Sequence, residues 1–202
     1  MKNNINNLQK FLSGGGEMGE RIRSFNWEHT PLGHPSKWPQ SLKTCVRIML
    51  TSRQPMFIWW GEELINIYND AYILVLGNKD AVALGVSGQL IWEEIWDSLA
   101  PRVQSVFQNQ GTFDDALLLL VKRYGYTEET YINFSYNPIP DEDGQVVGLF
   151  CVCNDETANK LNERTLLTQR ELGKLSNKNT EQKCTLLLLP FLKKTTKISP
   201  LP

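Results

Sequence analysis

The sequence predicts a mixed α+β fold, in which a five-stranded antiparallel sheet carries helices on one face and is flanked by an N-terminal helical arm and a C-terminal helix. Two short β-prone segments come first, a block of short helical segments broken by glycines follows, and three further β-prone segments come after that block. Turn residues at hairpin distance join neighbouring strands. Strands grouped in this way, rather than alternating with helices, favour antiparallel pairing.

Residues 1–54 are predicted to precede the sheet. Residues 1–16 are rich in Asn and end in three glycines, a composition typical of a disordered leader. Residues 17–54 form the arm, in which Pro39 suits the first turn of a helix. Apolar residues then recur at spacings of three and four, as in an amphipathic helix: Leu42, Cys45, Val46, Met49 and Leu50.

Residues 55–156 are predicted to form the domain that holds the sheet. The β-prone run at 56–60 is followed at hairpin distance by a second run at 64–68. Asn69 can cap the first short helix after these strands. A longer helix is expected over residues 102–109, where apolar residues recur at helical spacing.

Three strands are predicted to complete that domain. The apolar run at 116–121 contains four consecutive leucines, which fit a strand or a helix equally well. Residues 128–136 alternate between two faces. The acidic turn at 141–144 then leads to residues 146–153, the most β-prone segment of the chain.

Residues 157–183 are predicted to form a polar helix and a linker. The helix has a narrow apolar stripe, which is typical of a coiled-coil seam and predicts a homodimer. The stripe consists of Leu161, Leu167 or Thr168, Leu172 and Leu175. Residues 184–202, in which four leucines are followed by a Lys-rich end, are predicted to be a disordered or aberrant tail.

The composition argues against several classes of function. The chain has 21 Lys and Arg against 22 Asp and Glu, so it offers no excess positive charge to a nucleic acid. No run of about 18 apolar residues predicts a membrane span, and the N-terminus lacks the apolar core of a secretory signal. With four cysteines and no C-x-x-C pair, we expect a reduced, cytoplasmic protein.

No catalytic residue and no metal site is predicted. No Ser or Cys lies in a nucleophile motif. The acidic turn at 141–143 lacks the spacing of a calcium loop and fits a solvated hairpin tip. Cys151 and Cys153 share one face of a strand and could ligate zinc, but without a second pair we interpret them as core residues. His29 and His34 are expected at the surface or in packing contacts.

Aromatic residues are concentrated in the sheet domain. Filling of the core is the simpler interpretation, and a cage for a ligand is the alternative. If a pocket exists, strand alternation would direct some of six side chains into it: Ile58, Trp60, Ile67, Phe134, Tyr136 and Phe150.

The chain resembles the PAS sensor domain found at the N-terminus of bacterial PAS/GAF sensor histidine kinases. The resemblance covers roughly residues 14–175. In the arm it rests on residues 16–23, 27, 30–33 and 38–42, and in the sheet domain on residues 55–61, 68–72 and 129–136.

The resemblance implies a sensory or dimerisation module of two-component signal transduction, which passes the state of a ligand or partner protein to a C-terminal coiled-coil helix. Asp155 and Thr157 resemble the Asp-x-Thr junction before that helix, where either residue can cap the first turn. No phosphoacceptor histidine follows the helix and nothing resembles an ATP lid, so no enzyme is expected. The alternatives are a histidine kinase by association with the parent family, or a truncated or frameshifted gene fragment.

PAS pockets in the family hold haem or flavin in some members, and this sequence disfavours both. Residues 97–110 contain no histidine for an axial haem ligand, and residues 69–111 contain no cysteine for a flavin adduct. The sequence therefore identifies no cofactor, and none is the simplest expectation.

Overall fold

The computed structural model of the chain describes the backbone of residues 11–192 and the side chains of residues 11–174. These residues divide into two units, one ending at Thr157 and one beginning at Ala158. The first unit contains the sheet and the second is helical.

Helices α1 (Gly16–Ser24) and α2 (Gln40–Thr51) lie in the arm, separated by short 3-10 turns at Trp27–His29 and Pro35–Lys37. The predicted amphipathic helix after Pro39 is confirmed, because α2 buries one apolar side. The buried residues on that side are Leu42, Val46, Met49 and Leu50.

The described residues contain the predicted five-stranded antiparallel sheet. Its strands are β1 (Met56–Trp60), β2 (Ile65–Tyr68), β3 (Thr112–Val121), β4 (Glu128–Pro140) and β5 (Val146–Asp155). They lie in the order β2-β1-β5-β4-β3, and each neighbouring pair is antiparallel. The predicted α+β class is therefore confirmed.

The four leucines that fitted either a strand or a helix belong to β3. Leu117 lies opposite Ile132, and Leu119 lies opposite Thr130. Leu119 is buried, whereas Leu118 and Leu120 are exposed. The two faces of a strand alternate residue by residue, and this burial pattern has that period of two.

Short helices connect β2 to β3. They are α3 (Asp70–Leu76), α4 (Asp80–Ala83), α5 (Gly88–Ile91) and α6 (Trp96–Phe107). Helices α3 and α6 cover the sheet face that carries Phe57 and Tyr136. Helix α2 packs at the other face, where Cys45 lies beside Ile139 and Phe150. The sheet is thus enclosed between the helices of the connection and the helix of the arm.

Asn69 confirms its predicted role as a cap. Its side-chain oxygen accepts hydrogen bonds from the backbone N–H of Tyr72 and Met56, at 3.2 and 3.0 Å. Its side-chain nitrogen donates to the carbonyls of Met49 and Gln54. One buried amide therefore fixes α3 to β1 and to the end of α2.

Residues 11–16, predicted as the end of a disordered leader, are folded against the arm. Leu12 is 2% exposed, and Arg23 donates hydrogen bonds to the carbonyls of Leu12 and Gly14. Gly16 has a φ of 57°, and a Cβ there would lie 1.7 Å from a carboxylate oxygen of Asp70. Glycine is therefore needed here, because the backbone is left-handed and the Asp70 carboxylate occupies the place of a Cβ. Residues 1–10 of the predicted leader lie outside the described residues.

Helix α7 (Thr157–Leu192) begins at the last residue of the first unit, and the rest of it belongs to the second unit. It extends past the predicted boundary at residue 183 and into the segment predicted to be a tail, of which residues 193–202 lie outside the described part. Of the predicted seam, Leu161 is partly exposed and Leu172 is 61% exposed. The side chain of Leu175 lies outside the described residues. Leu166 and Leu167 are also about 60% exposed.

Candidate functional site

A small cavity lies between the sheet and helices α3 and α6. Its wall is mostly aromatic and aliphatic, and it includes Phe57, Tyr72, Trp92, Phe134 and Tyr136. The volume of the cavity that the centre of a water-sized sphere can occupy is about 50 Å³. One water needs roughly 10–15 Å³ on this measure, so the space matches a few waters.

Phe134 and Tyr136, two of the six predicted pocket residues, line this cavity. The register of the sheet explains why they do. Tyr136 lies opposite Cys151, and Cys151 lies opposite Phe57. These side chains form one row across three strands, on the face that α3 and α6 cover.

The other four predicted pocket residues lie on the opposite face of the sheet and do not line the cavity. Ile58 is paired with Ile67 on β2 and with Phe150 on β5, and Trp60 follows Ile58 by two positions. The sequence pattern alone cannot separate the two faces of β1, because both Ile58 and Trp59 are completely buried.

Tyr72 and two cysteines were not predicted to line a pocket. Tyr72 reaches the cavity from α3, and Cys151 and Cys153 reach it from β5. The predicted burial of both cysteines is confirmed, with exposures of 0% and 4%. The spacing of two between the thiols placed them on one face, but only the register of β5 shows that this face borders the cavity.

The hydroxyl groups of the two cavity tyrosines are deeply buried. Burial raises the pKa of Tyr72 well above its usual range, and Cys153 and Cys151 raise it further. The pKa of Tyr136 is raised by burial first and then by the same two cysteines. Both phenols are therefore neutral at physiological pH, and each keeps a proton that can be donated.

Arg123 brings a guanidinium group to the wall of the cavity from the turn between β3 and β4. Its side chain is 9% exposed and bonds to two carboxylates. Nε and Nη2 donate to Glu128 at 3.0 and 3.1 Å, and Nη1 donates to Asp155 at 2.9 Å. Burial lowers the pKa of Arg123, but these partners outweigh burial and raise it overall. Sequence reasoning missed Arg123, because one of its two partners, Asp155, lies 32 positions further along the chain.

Asp155 and Thr157, the predicted junction residues, are in direct contact. One carboxylate oxygen of Asp155 accepts the backbone N–H of Thr157 at 2.9 Å, and the other accepts from Arg123. Burial raises the pKa of Asp155, but the bonds from Thr157 and Arg123 lower it more, so it lies below its usual value. The Thr157 hydroxyl accepts the backbone N–H of Tyr131 at 2.9 Å. The first residue of α7 is thus fastened to the ends of β4 and β5.

Within the described residues, no three His, Cys, Asp or Glu side chains lie close enough together to hold a metal ion. In the same part of the chain, no helix is both long and apolar enough to cross a membrane.

At the acidic turn, Asp141 accepts hydrogen bonds from the backbone N–H of Asp143 and Gln145. The turn carboxylate is therefore engaged with its own backbone.

No family model and no curated protein matches the chain. Several solved structures resemble it. The PAS domain of a protein from Colwellia psychrerythraea is 18% identical, with a TM-score of 0.45, over 58% of this chain and 98% of that chain. The PAS domain of Bordetella pertussis BvgS is 17% identical, with a TM-score of 0.41, over 65% and 99%. A sensory box sensor histidine kinase from Vibrio cholerae is 15% identical, with a TM-score of 0.38, over 56% and 86%. The architecture of this chain is shown by its own strand order, and likenesses of this size transfer no function.

Proposed function

We propose that this chain is a sensory module of signal transduction, in which a change in the cavity alters the conformation at the start of helix α7. One observation carries the proposal. Arg123 lines the cavity and at the same time holds Asp155, whose other oxygen caps Thr157. A change in the cavity that moves one guanidinium group therefore acts on the first residue of the output helix.

The bonds at the junction are of a suitable strength for a switch. A hydrogen bond to a charged group contributes roughly 1.5–3 kcal/mol, and a helix cap contributes about 1 kcal/mol. Changes of this size shift a two-state equilibrium by roughly 5-fold to 150-fold. A ligand that displaces Arg123 would thus change how firmly Asp155 holds α7 without unfolding the sheet.

We propose further that α7 pairs with a second copy of the chain. Leu172 is 61% exposed in a single copy, and most of the other residues between 157 and 174 are polar. Helices with so little apolar contact are marginal in water, and a parallel pair through the side that carries Leu161 and Leu172 would bury both of these leucines. A coiled coil of this kind would carry the state of the junction towards a signalling partner protein.

Sedimentation of the wild type and of Leu161→Glu/Leu172→Glu tests the pairing. We expect a dimer for the wild type at tens of micromolar and a monomer for the variant, because a charge in a desolvated seam costs on the order of 1–3 kcal/mol. A monomeric wild type would refute the pairing. Arg170→Glu, which changes the charge of the same helix on the side opposite Leu161, is the control.

The competing function is that of a histidine kinase. Residues 157–192, which form α7, contain no histidine that could serve as a phosphoacceptor. We therefore propose that the chain has no catalytic turnover. Incubation with γ-labelled ATP tests this proposal. Label on the purified chain would overturn it and would favour the kinase.

Hydrogen exchange of the amides at residues 161–166 tests the coupling itself. Arg123→Met keeps much of the side-chain volume and removes the ion pairs, so we expect these amides to exchange several-fold faster. Arg102→Met is the matched control, because Arg102 forms a comparable ion pair with Asp114 that does not include Asp155. Equal exchange in the two variants would refute the coupling.

A further inference from the structure

We propose that residues 1–10 of this chain bind in a groove between helix α2 and the end of the β4–β5 hairpin, which we call the α2 groove. The α2 groove lies on the face of the sheet opposite the cavity, so the proposal does not depend on the coupling through Arg123. It rests on the size and composition of the groove, on the position of Phe11, and on the charges of the two partners.

The α2 groove contains accessible apolar side chains and has room for a segment of chain. One wall includes Thr44, Cys45 and Ile48 of α2, and the other includes Ile139 and Phe150. Ile48 is 52% exposed, and Cys45 and Phe150 are only partly buried. The volume that the centre of a water-sized sphere can occupy is about 590 Å³, against about 50 Å³ in the cavity. An apolar side chain bound there would remove Ile48 from water.

The described chain begins beside the first turn of α2. The ring of Phe11 lies 6.0 Å from the ring of Trp38, and the Lys43 ammonium lies 5.9 Å from the centre of the Phe11 ring. Further along α2, Arg47 donates to the Ser13 hydroxyl at 3.0 Å. Residues 11–13 thus follow α2 from its beginning, and the ten residues before Phe11 join the described chain at that end of the helix.

Those ten residues are long enough to reach the α2 groove and to occupy it. Gln40, the first residue of α2, lines the groove, so the segment has to cross only the end of one helix. A helix with its side chains is about 10–12 Å wide and an extended residue spans about 3.3 Å, so the crossing takes about four residues. The remaining six residues span about 20 Å, against about 12 Å for α2 from residue 40 to residue 48. They include Ile5, which can bind against Ile48.

The charges of the segment and of the groove are opposite. Asp141 and Glu142 line the α2 groove, and no Lys or Arg among the described residues does so. Residues 1–10 contain Lys2 and Lys10 and neither Asp nor Glu. Glu142 is exposed, so a lysine can approach it without displacing a buried group. Complementary charges of this kind favour one partner over others and act most strongly at low ionic strength.

Alkylation of the Cys45 thiol by iodoacetamide measures whether the α2 groove is covered. Cys45 is a free, partly buried cysteine, whereas Cys151 and Cys153 are buried in the core, and mass spectrometry of the digested full chain gives the rate for each peptide separately. We expect Ile5→Asp to raise the rate at Cys45 about tenfold, because it places a charge against apolar side chains. Asn7→Asp is the matched control, since it makes the same change of charge at a polar position, and it should raise the rate less than about twofold.

Reversal of the charges on the segment tests the proposal in a second way. Lys2→Glu/Lys10→Glu should also raise the rate at Cys45, and about 0.5 M NaCl should reduce the difference from the wild type, because salt screens exposed charges. Far-UV circular dichroism shows whether each variant is folded. If Ile5→Asp does not fold, the charge reversal and its response to salt still decide.

Three results would overturn the inference. The first is an equal rate at Cys45 in the wild type and in Ile5→Asp, and the second is an equal effect of Ile5→Asp and Asn7→Asp. The third is a wild-type rate that falls as the protein concentration rises, which would assign the α2 groove to a second copy of the chain.

Discussion

Asp155 holds two groups at once, and two substitutions separate its roles. Its carboxylate accepts from the guanidinium of Arg123 and from the backbone N–H of Thr157. Asp155→Asn keeps an oxygen that can cap Thr157 but removes the charge that faces Arg123. Asp155→Ala removes both interactions.

The size of each loss follows from the contacts. A hydrogen bond between charged groups contributes roughly 1.5–3 kcal/mol when buried. The Asp155 side chain is 32% exposed and Arg123 keeps its bonds to Glu128, so solvent and the second carboxylate reduce the loss. We expect Asp155→Asn to lower the free energy of unfolding by about 1–1.5 kcal/mol. Loss of the cap adds about 1 kcal/mol, which gives about 2–2.5 kcal/mol for Asp155→Ala.

Urea unfolding followed by circular dichroism measures both losses. With a slope of about 2 kcal/mol per molar urea, the midpoint should fall by about 0.5–0.75 M for Asp155→Asn and by about 1–1.25 M for Asp155→Ala. Asp143→Ala, at an exposed position in the turn between β4 and β5, should change the free energy of unfolding by less than about 0.5 kcal/mol. Equal midpoints for the two Asp155 variants, or values within that margin of the wild type, would refute the two-role assignment.

Two further predictions concern the arm and the response to acid. Gly16→Ala should lower the free energy of unfolding by about 2–4 kcal/mol, because a Cβ there meets the Asp70 carboxylate that accepts the backbone N–H of Met18. Gly144→Ala, also at a positive φ but with open space around the new Cβ, should cost only about 1–2 kcal/mol, and equal urea midpoints for the two variants would argue against the contact. The pKa values of Asp155 and Glu94 lie below their ordinary values of 3.8 and 4.5, so the stability that these groups contribute is present above those values and is lost as the pH falls through their lower folded-state values. The urea midpoint should therefore decrease when the pH is lowered below about 4, and the decrease should be smaller in Asp155→Asn than in the wild type. An equal decrease in both proteins would contradict this prediction.

Several features of this protein were determined by the sequence because they depend on residues close together in the chain. The apolar spacing of α2 predicted its buried side, and Asn69 capped the helix that it precedes. The alternation in β4 predicted a strand with two faces, the β-prone composition of residues 146–153 predicted β5, and hairpin turns predicted antiparallel neighbours. Asp155 and Thr157, two positions apart, make the contact that a local cap requires.

Other features were decided only by the tertiary structure. The sequence could not show which face of β1 borders the cavity, because α2 on one side and α3 with α6 on the other bury both faces. It also could not show that Asp155 binds a guanidinium 32 positions earlier, or that Asp70 accepts the N–H of Met18, 52 positions earlier. The glycine run at the start of α1 was predicted to be disordered because its contact with Asp70, far along the chain, cannot be seen in the sequence. Local preferences act over a few residues, whereas register, burial and ion pairs join segments whose proximity exists only once the chain has folded.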